Sequence, residues 1–283
     1  MARLYRHGVY RFLLTRQWLL LALLVLVLIP TMVELGFWQF HRHEHRVAQN
    51  ALISRNLKAD PVPATSLTSP GHTVPRSDSW RMVKATGTYD TAHEVVVRRR
   101  TSNDDRVGFH VLTPFDIKGG GTLLVDRGWV PSADSQRAFP HVPPPPKGEV
   151  TVTGRLKADE TTGSSGIKDI SDLPDRQVML INSGQESERL SRPVLGGYIE
   201  QTGPEPSGGS PELIAAPDDS SIGPHMAYAV QWWLFAAAVP VGYVVLARRE
   251  KHDRLKAAAT GAATQGPSAS EPEQPEQPEP APA

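Results

Sequence analysis

Two long apolar runs, with short alternating segments between them, set the organisation of this chain. From Gln17 to Trp38 the sequence reads QWLLLALLVLVLIPTMVELGFW. About 22 such residues form a helix of roughly 33 Å, enough to cross a hydrocarbon core. A cleaved signal peptide has a shorter apolar stretch, about 7 to 15 residues, followed by a small-residue cleavage site. No such site follows here, so the run reads as a retained anchor. Trp18 and Trp38 stand at its two ends, where amphipathic aromatic rings favour the membrane interfaces, and Pro30 is expected to kink it. The second run, AYAVQWWLFAAAVPVGYVVLA from Ala227 to Ala247, is interrupted by Gln231 and Pro240. A buried core helix is the competing reading. The paired Trp232 and Trp233, the stop at Arg248 and Arg249 and the lack of a polar face favour a second span.

Between the runs the period changes. WRMVKATGTY (80–89), HEVVVRRR (93–100), VGFHVLTPFDI (107–117), TLLVDRGWVP (122–131) and EVTVTGRL (149–156) are short segments rich in β-branched and aromatic residues, separated by Gly, Pro and Asp turns. KGGG joins the third and fourth as a hairpin-type loop. RQVMLIN and GGYIEQT also read as strands, and SGQESERLSR between them as a short helix. Strands at this spacing predict a mainly β domain, barrel or sandwich, with some α structure. Segments 57–79 and 203–223, rich in Pro, Gly, Ser and Asp, read as linkers. The Pro/Glu-rich end, GAATQGPSASEPEQPEQPEPAPA, lacks the apolar residues that could offset its ordering entropy and reads as disordered.

Charge adds a direction. The chain has 30 basic and 30 acidic residues, so no overall basic field points to nucleic acid as a partner. Locally, Arg3, Arg6, Arg11 and Arg16 precede the first run without an acid, and ARREKHDRLK after the second carries five Lys or Arg against two acids. The positive-inside rule places both flanks in the cytoplasm, and two spans satisfy both at once, leaving the middle exported. The expected organisation is a cytoplasmic basic N-terminus (1–16), a first transmembrane helix (17–38), an exported β-rich domain with linkers (39–226), a second transmembrane helix (227–247) and a cytoplasmic basic stop and tail (248–283). With about sixteen residues ahead of the first helix, little room remains for a transit peptide, which favours a bacterial plasma membrane. Cysteine is absent, which removes disulfides, thiolate metal sites, thiol nucleophiles and covalent C-x-x-C-H haem attachment.

Enzyme templates find no match. There is no G-x-S-x-G, H-E-x-x-H or P-loop, although a Ser, His and Asp set assembled in space leaves no sequence trace. Polar groups at the membrane helices are more informative, because burying them is costly and they usually have partners. Glu34, Trp38, His41 and His45 form one stripe if the first helix continues outward, with His43 off it. His41 and His45 have chelating spacing, but no carboxylate sits at ligand spacing, and the bland reading is solvated interfacial residues. In GPHMAYAVQWW, Pro224 suits a first helical position, so His225 falls in the first turn and shares a face with Tyr228, Trp232 and Phe235. A helix N-terminus disfavours imidazolium, which would leave a neutral ring able to coordinate. A His that simply ends the helix near the interface is the alternative, and chemistry alone leaves both open. In VDRGWVP, Arg127 could hold a carboxylate or propionate by charge-assisted hydrogen bonds, or could be a structural Arg at a strand end.

Three of these stretches together resemble the Surfeit locus family of cytochrome c oxidase assembly factors. GFWQFHR resembles that family's G-x-W-Q-x-x-R, matched by Gly36, Trp38, Gln39 and Arg42. VDRGWVP resembles its R-G-W-V-P, matched from Arg127 to Pro131, and HMAYAVQWW resembles its H-x-x-Y-A-x-x-W, matched by His225, Tyr228, Ala229 and Trp232. Their order and placement carry the resemblance from about Leu19 to Arg249. The Pro/Glu tail and the His41, His43 and His45 cluster lie outside the family pattern.

The resemblance implies a non-enzymatic factor that binds or presents haem A, transiently and non-covalently, for insertion into the catalytic subunit of the haem-copper oxidase. Its implied partners are the oxidase subunits, the haem A synthesis machinery and the lipid bilayer. His225 is the implied axial ligand of the iron. Tyr228, Trp232, Trp38, Gln39, Arg42 and Arg127 complete the expected cofactor-binding set, with the first motif facing the second helix. The alternative is a membrane-anchored sensor or scaffold with an exported protein-binding β domain and no cofactor.

Overall fold

A computed structural model describes residues 10–132, 137–209 and 211–264. Arg3, Arg6 and most of the Pro/Glu tail lie outside the described residues. The chain divides into two compact units, Met1–Glu44 with Gly223–Ala283, and His45–Ile222.

The first unit is helical. A short 3-10 turn, Arg11–Leu14, leads into helix α1, Arg16–Lys58, which begins in this unit and ends in the other. At 1.5 Å per residue its 43 residues reach about 65 Å, twice a ~30 Å hydrocarbon core, so the helix runs twenty residues beyond Trp38. The apolar run supplies the part that can span. The continuation, QFHRHEHRVAQNALISRNLK, contains no Gly or Pro, so nothing in it ends the helix. The last helix, which we call α4 after two short ones below, is His225–Thr264 and likewise outlasts its apolar run. Both are long and apolar enough to cross a membrane. Pro30 and Pro240 lie inside continuous helices.

The second unit holds one eight-stranded sheet. Its strands are β1 Val62–Pro63, β2 Met82–Tyr89, β3 Val95–Thr101, β4 Val107–Ile117, β5 Thr122–Pro131, β6 Val150–Lys157, β7 Gln177–Val178 and β8 Val194–Gly203. Helices α2, Thr162–Ser165, and α3, Ser183–Leu190, interrupt the second half. Strand order is β1-β2-β6-β8-β5-β4-β3-β7, and β2 also pairs with β4, which closes β2, β6, β8, β5 and β4 into a barrel. Closure turns on Gly87, which pairs with Val150 of β6 on one side and Ile117 of β4 on the other. A Cβ there would lie 2.0 Å from the Asp116 carbonyl oxygen, so only glycine lets the strands approach.

Hydrophobic positions divide between two faces. Val83, Phe115, Leu123, Val125, Val152, Leu156 and Ile199 form one cluster, and Val95, Val97, Leu112, Leu124, Ile181, Val194 and Tyr198 form another. Leu123 and Leu124 are neighbours in sequence but belong to opposite clusters, as the period of two requires. Strand β5 is therefore buried along both faces, which explains its continuous rather than alternating apolar pattern.

Two expectations are corrected. RQVMLIN supplies only the two residues of β7, after which Met179, Leu180 and Ile181 are buried without a ladder. Segment 57–79 is more than a linker: Ala64 and Val74 are buried in the first cluster, and the Thr68 hydroxyl donates to the Gly196 carbonyl at 2.7 Å.

Candidate functional site between the two long helices

The buried and half-buried positions of α1 in the helical unit follow one stripe, including Met32, Val33, Gly36, Gln39, Phe40 and His43. Its counterpart on α4 is Ala229, Trp233 and Ala236. Contact is closest at Gly36, where a Cβ would fall 2.2 Å from Trp233 Nε1. Gly36 is thus the seat of the Trp233 indole, as small residues allow where helices meet. Phe37 and Phe40 complete the seat with ring centroids 5.6 and 6.1 Å from that indole.

Further toward the C-terminal end of α1 along this stripe comes the bond that defines the site. Nδ1 of His225 lies 3.0 Å from Oε1 of Gln39. With Nδ1–H donating to the amide oxygen, the ring is fixed in the tautomer that leaves a lone pair on Nε2. Nε2 has no hydrogen-bond partner among the described residues. Gly223, at φ +65°, flanks that edge, and a Cβ there would sit 3.4 Å from Nε2. A metal-binding imidazole has this arrangement: one nitrogen oriented by an amide, the other open.

The other expected residues are placed differently. Trp38 is 53% exposed on the side of α1 away from α4, with the Arg42 guanidinium 5.4 Å over its ring. Only Gly36 and Gln39 of the first motif face the second helix; Trp38 and Arg42 turn away, because a 3.6-residue period puts 38 and 42 opposite 36 and 40. Tyr228 and Phe235 are exposed, and Trp232 meets Phe235 edge to face at 6.2 Å. This aromatic face shares His225's side of α4 but is rotated from the packed stripe of Ala229, Trp233 and Ala236. Among the described residues no three His, Asp or Glu side chains converge as a metal site, and His43 lies on the packed stripe while His41 and His45 are exposed.

Arg127 belongs to the β domain. Its Nη1 donates to Glu94 Oε2 at 2.8 Å and its Nη2 to the Pro143 carbonyl at 2.8 Å. Thr113 Oγ1 donates to the same Glu94 oxygen at 2.7 Å. The guanidinium lies 5.7 Å from the Tyr89 ring centre, and Tyr89 donates to Gln201 Oε1 at 2.9 Å. Burial pushes the Tyr89 hydroxyl up to about 12, with Arg127 acting in the other direction, so it stays protonated. Arg127, Tyr89, Gln201 and the Pro143–Pro146 run line a cavity of about 230 Å³. The arrangement is that of a structural Arg holding the Pro-rich break against the barrel.

Sequence reasoning missed a second imidazole. His110 Nδ1 lies 2.8 Å from Oδ2 of Asp126, which is 1% exposed and accepts the Gly128 N–H at its other oxygen. No hydroxyl hydrogen-bonds His110 at its other nitrogen among the described residues, so no hydrolytic triad is assembled there. Nearby, burial and then the Glu160, Glu200 and Asp126 carboxylates raise the Tyr198 hydroxyl well above its usual range. The only trace in sequence was a polar residue at alternating strand positions, which reads equally well as a solvent-facing side chain.

Comparison with known proteins decides the family. The SURF1 family matches residues 26–237, a span that holds all three motifs. This chain belongs to the SURF1 family. It is 33% identical over 260 residues to an uncharacterised SURF1-like protein of Mycobacterium tuberculosis, covering 87% of this chain and 89% of that one. It is 23% identical over 236 residues to a SURF1-like protein of Rickettsia conorii, covering 80% and 90% respectively. Human Surfeit locus protein 1 is 30% identical over 155 residues, 48% of this chain and 49% of the human one. The Gln39 and His225 pairing is therefore a contact, within a SURF1 family chain, between motifs 186 residues apart.

Proposed function

We propose that this SURF1 family protein is a non-enzymatic assembly factor of the haem-copper cytochrome c oxidase. It binds haem A where the start of α4 meets the middle of α1, and presents it to the catalytic subunit. The observation that carries the reading is the His225–Gln39 hydrogen bond, which orients an imidazole with its second nitrogen open. Haem A, when bound, would supply an iron that accepts an imidazole, an isoprenoid tail suited to lipid, and propionates suited to cations near water. His225 would hold the iron through Nε2, with Gln39 fixing the ring and Gly223 leaving the approach to Nε2 open. Tyr228, Trp232 and Phe235 give an apolar aromatic face beside it, whereas Arg42 lies over Trp38 on the face of α1 turned away from this imidazole.

Both termini are cytoplasmic and the β domain is exported from a bacterial plasma membrane in this reading, supported by the basic flanks of both helices. The oxidase subunits and the haem A synthesis machinery are the partners. The test is purification from a host that makes haem A. A Soret band is expected, and His225→Ala should abolish it. Haem content unchanged by His225→Ala would overturn the ligand assignment. A haem-free protein from that host would instead favour an anchored scaffold. Loss of the gene should lower assembled oxidase, and a phosphatase that works only when exported should be inactive when fused after residue 283.

A further inference from the structure

At the opposite end of the helical unit from His225, the Tyr10–Leu13 segment and the Tyr243–Leu255 stretch of α4 enclose a cavity of about 500 Å³. We propose that this cavity binds an anionic phospholipid, taking the phosphate of its headgroup and the upper part of its acyl chains. The lining is graded along α4. Tyr243, Val244 and Ala247 give an apolar wall, and Arg248, Lys251 and His252 follow on the same side. Val244 and Lys251 are two turns apart, about 10 Å along the axis, matching the passage from acyl chains to headgroups. The aromatic level marks the same boundary: Trp18 packs edge-on against Tyr243 at 5.6 Å and against Phe12 at 5.2 Å.

Charge complementarity selects the occupant. Among the described residues no carboxylate lines the cavity. Glu250, on the same helix, is engaged by Arg254 at 2.7 Å, and Arg254 in turn lies 5.1 Å over the Phe12 ring. Arg248 has no acidic partner among the described residues. Lys251 Nζ is held by a neutral group, the Tyr10 hydroxyl at 3.3 Å, and lies 4.9 Å from that ring's centre, which fixes its position without cancelling its charge. Two cations beside the apolar wall of a cavity between α4 and the turn that precedes α1 fit a phosphodiester with acyl chains attached. A zwitterionic headgroup would bring its own ammonium group against the same cations.

The site is tested on the full chain in detergent by native mass spectrometry, titrating phosphatidylglycerol against phosphatidylcholine of identical acyl chains. Phosphatidylglycerol is expected to bind about thirtyfold more tightly, given a contribution of about 1 kcal/mol from each of the two cations near a lipid surface. The double variant R248Q/K251Q should bring it down to the phosphatidylcholine level while leaving phosphatidylcholine adducts intact, which also reports that the helices still pair. R249Q, which removes a neighbouring charge outside the cavity lining, should change nothing. Equal binding of the two lipids, an equal loss in R249Q, or displacement of phosphatidylglycerol by equimolar inorganic phosphate would each overturn the proposal. The last result would mean that the site takes phosphate alone.

Discussion

Removing Arg127 should destabilise the β domain far more than it affects any ligand. Arg127 and Glu94 are 5% and 7% exposed, with Nη1 and Oε2 2.8 Å apart. At an effective dielectric of about 20 their attraction is about 6 kcal/mol, which roughly offsets a desolvation cost of several kcal/mol per ion. The intact pair is therefore close to neutral. Arg127→Met leaves the Glu94 carboxylate buried with the Thr113 hydroxyl and frees the Pro143 carbonyl. The expected cost is about 3–5 kcal/mol, a large share of a typical domain's stability. Glu94→Gln should cost about 3 kcal/mol, and the double variant about 2–4 kcal/mol less than the sum, because each single change exposes the other's unpaired charge. Urea unfolding of the full chain in detergent, followed by circular dichroism, measures all three. Arg127→Met costing under about 1 kcal/mol, or strict additivity, would refute the argument. If Arg127 instead serves to hold a propionate, Arg127→Met should lose haem at an unchanged unfolding midpoint.

Gln39→Leu removes the acceptor that orients His225 and should weaken haem binding about 10- to 100-fold with little change in the unfolding midpoint; unchanged affinity in a haem titration would count against the site. Gly36→Ala places a Cβ within 2.2 Å of Trp233 Nε1 and should cost about 1–3 kcal/mol, recovered in part by Trp233→Ala, as read by thermal unfolding of the single and double variants. For Asp90, burial alone would raise the carboxyl pKa, but the His93 hydrogen bond and charge and the Arg192 guanidinium outweigh it and hold it below 3.8. A depressed folded value contributes stability above the unfolded one, and that contribution is lost as pH falls through the lower folded value. The stability gap between wild type and Asp90→Asn should therefore hold near neutral pH and shrink below about pH 4, and a gap constant down to pH 2 would refute the pairing.

The long strands were legible because burial on a pleated surface imposes period two and the turns between them carry Gly, Pro or Asp. β4 and β5 match their expected spans at both ends, 107–117 and 122–131, since the KGGG loop leaves the register little freedom. What misled was composition standing in for contact. Segment 57–79 looks like a linker in its Pro and Ser content, yet Ala64 and Val74 pack into the barrel cluster. Met179 to Ile181 looks like a strand in its apolar content, yet Ile181 N–H is taken by the Glu160 side chain and the Ile181 carbonyl by the Glu160 N–H. Hydrophobicity reports that a residue is buried; it does not report which partner satisfies its backbone.

The candidate site turned on helical phase, which a motif does not state. G-x-W-Q-x-x-R reads as one signature, but four residues spread over seven positions cannot share one side of a 3.6-residue helix. Gly36 and Gln39 are three apart and face α4; Trp38 and Arg42 are four apart and face the other way, where the guanidinium covers the indole. The motif thus encodes two surfaces. One seats Trp233 and orients His225 within this chain, and the other presents an aromatic ring and a cation outward. Residues that stabilise the helix pair should tolerate change only with compensation from α4, as in the Gly36 and Trp233 pair. The outward pair should tolerate change without loss of stability. A Trp38→Ala variant that folds normally, keeps its Soret band and still fails to support the oxidase would place the outward surface at the encounter with a partner. One that loses haem would place it at the cofactor.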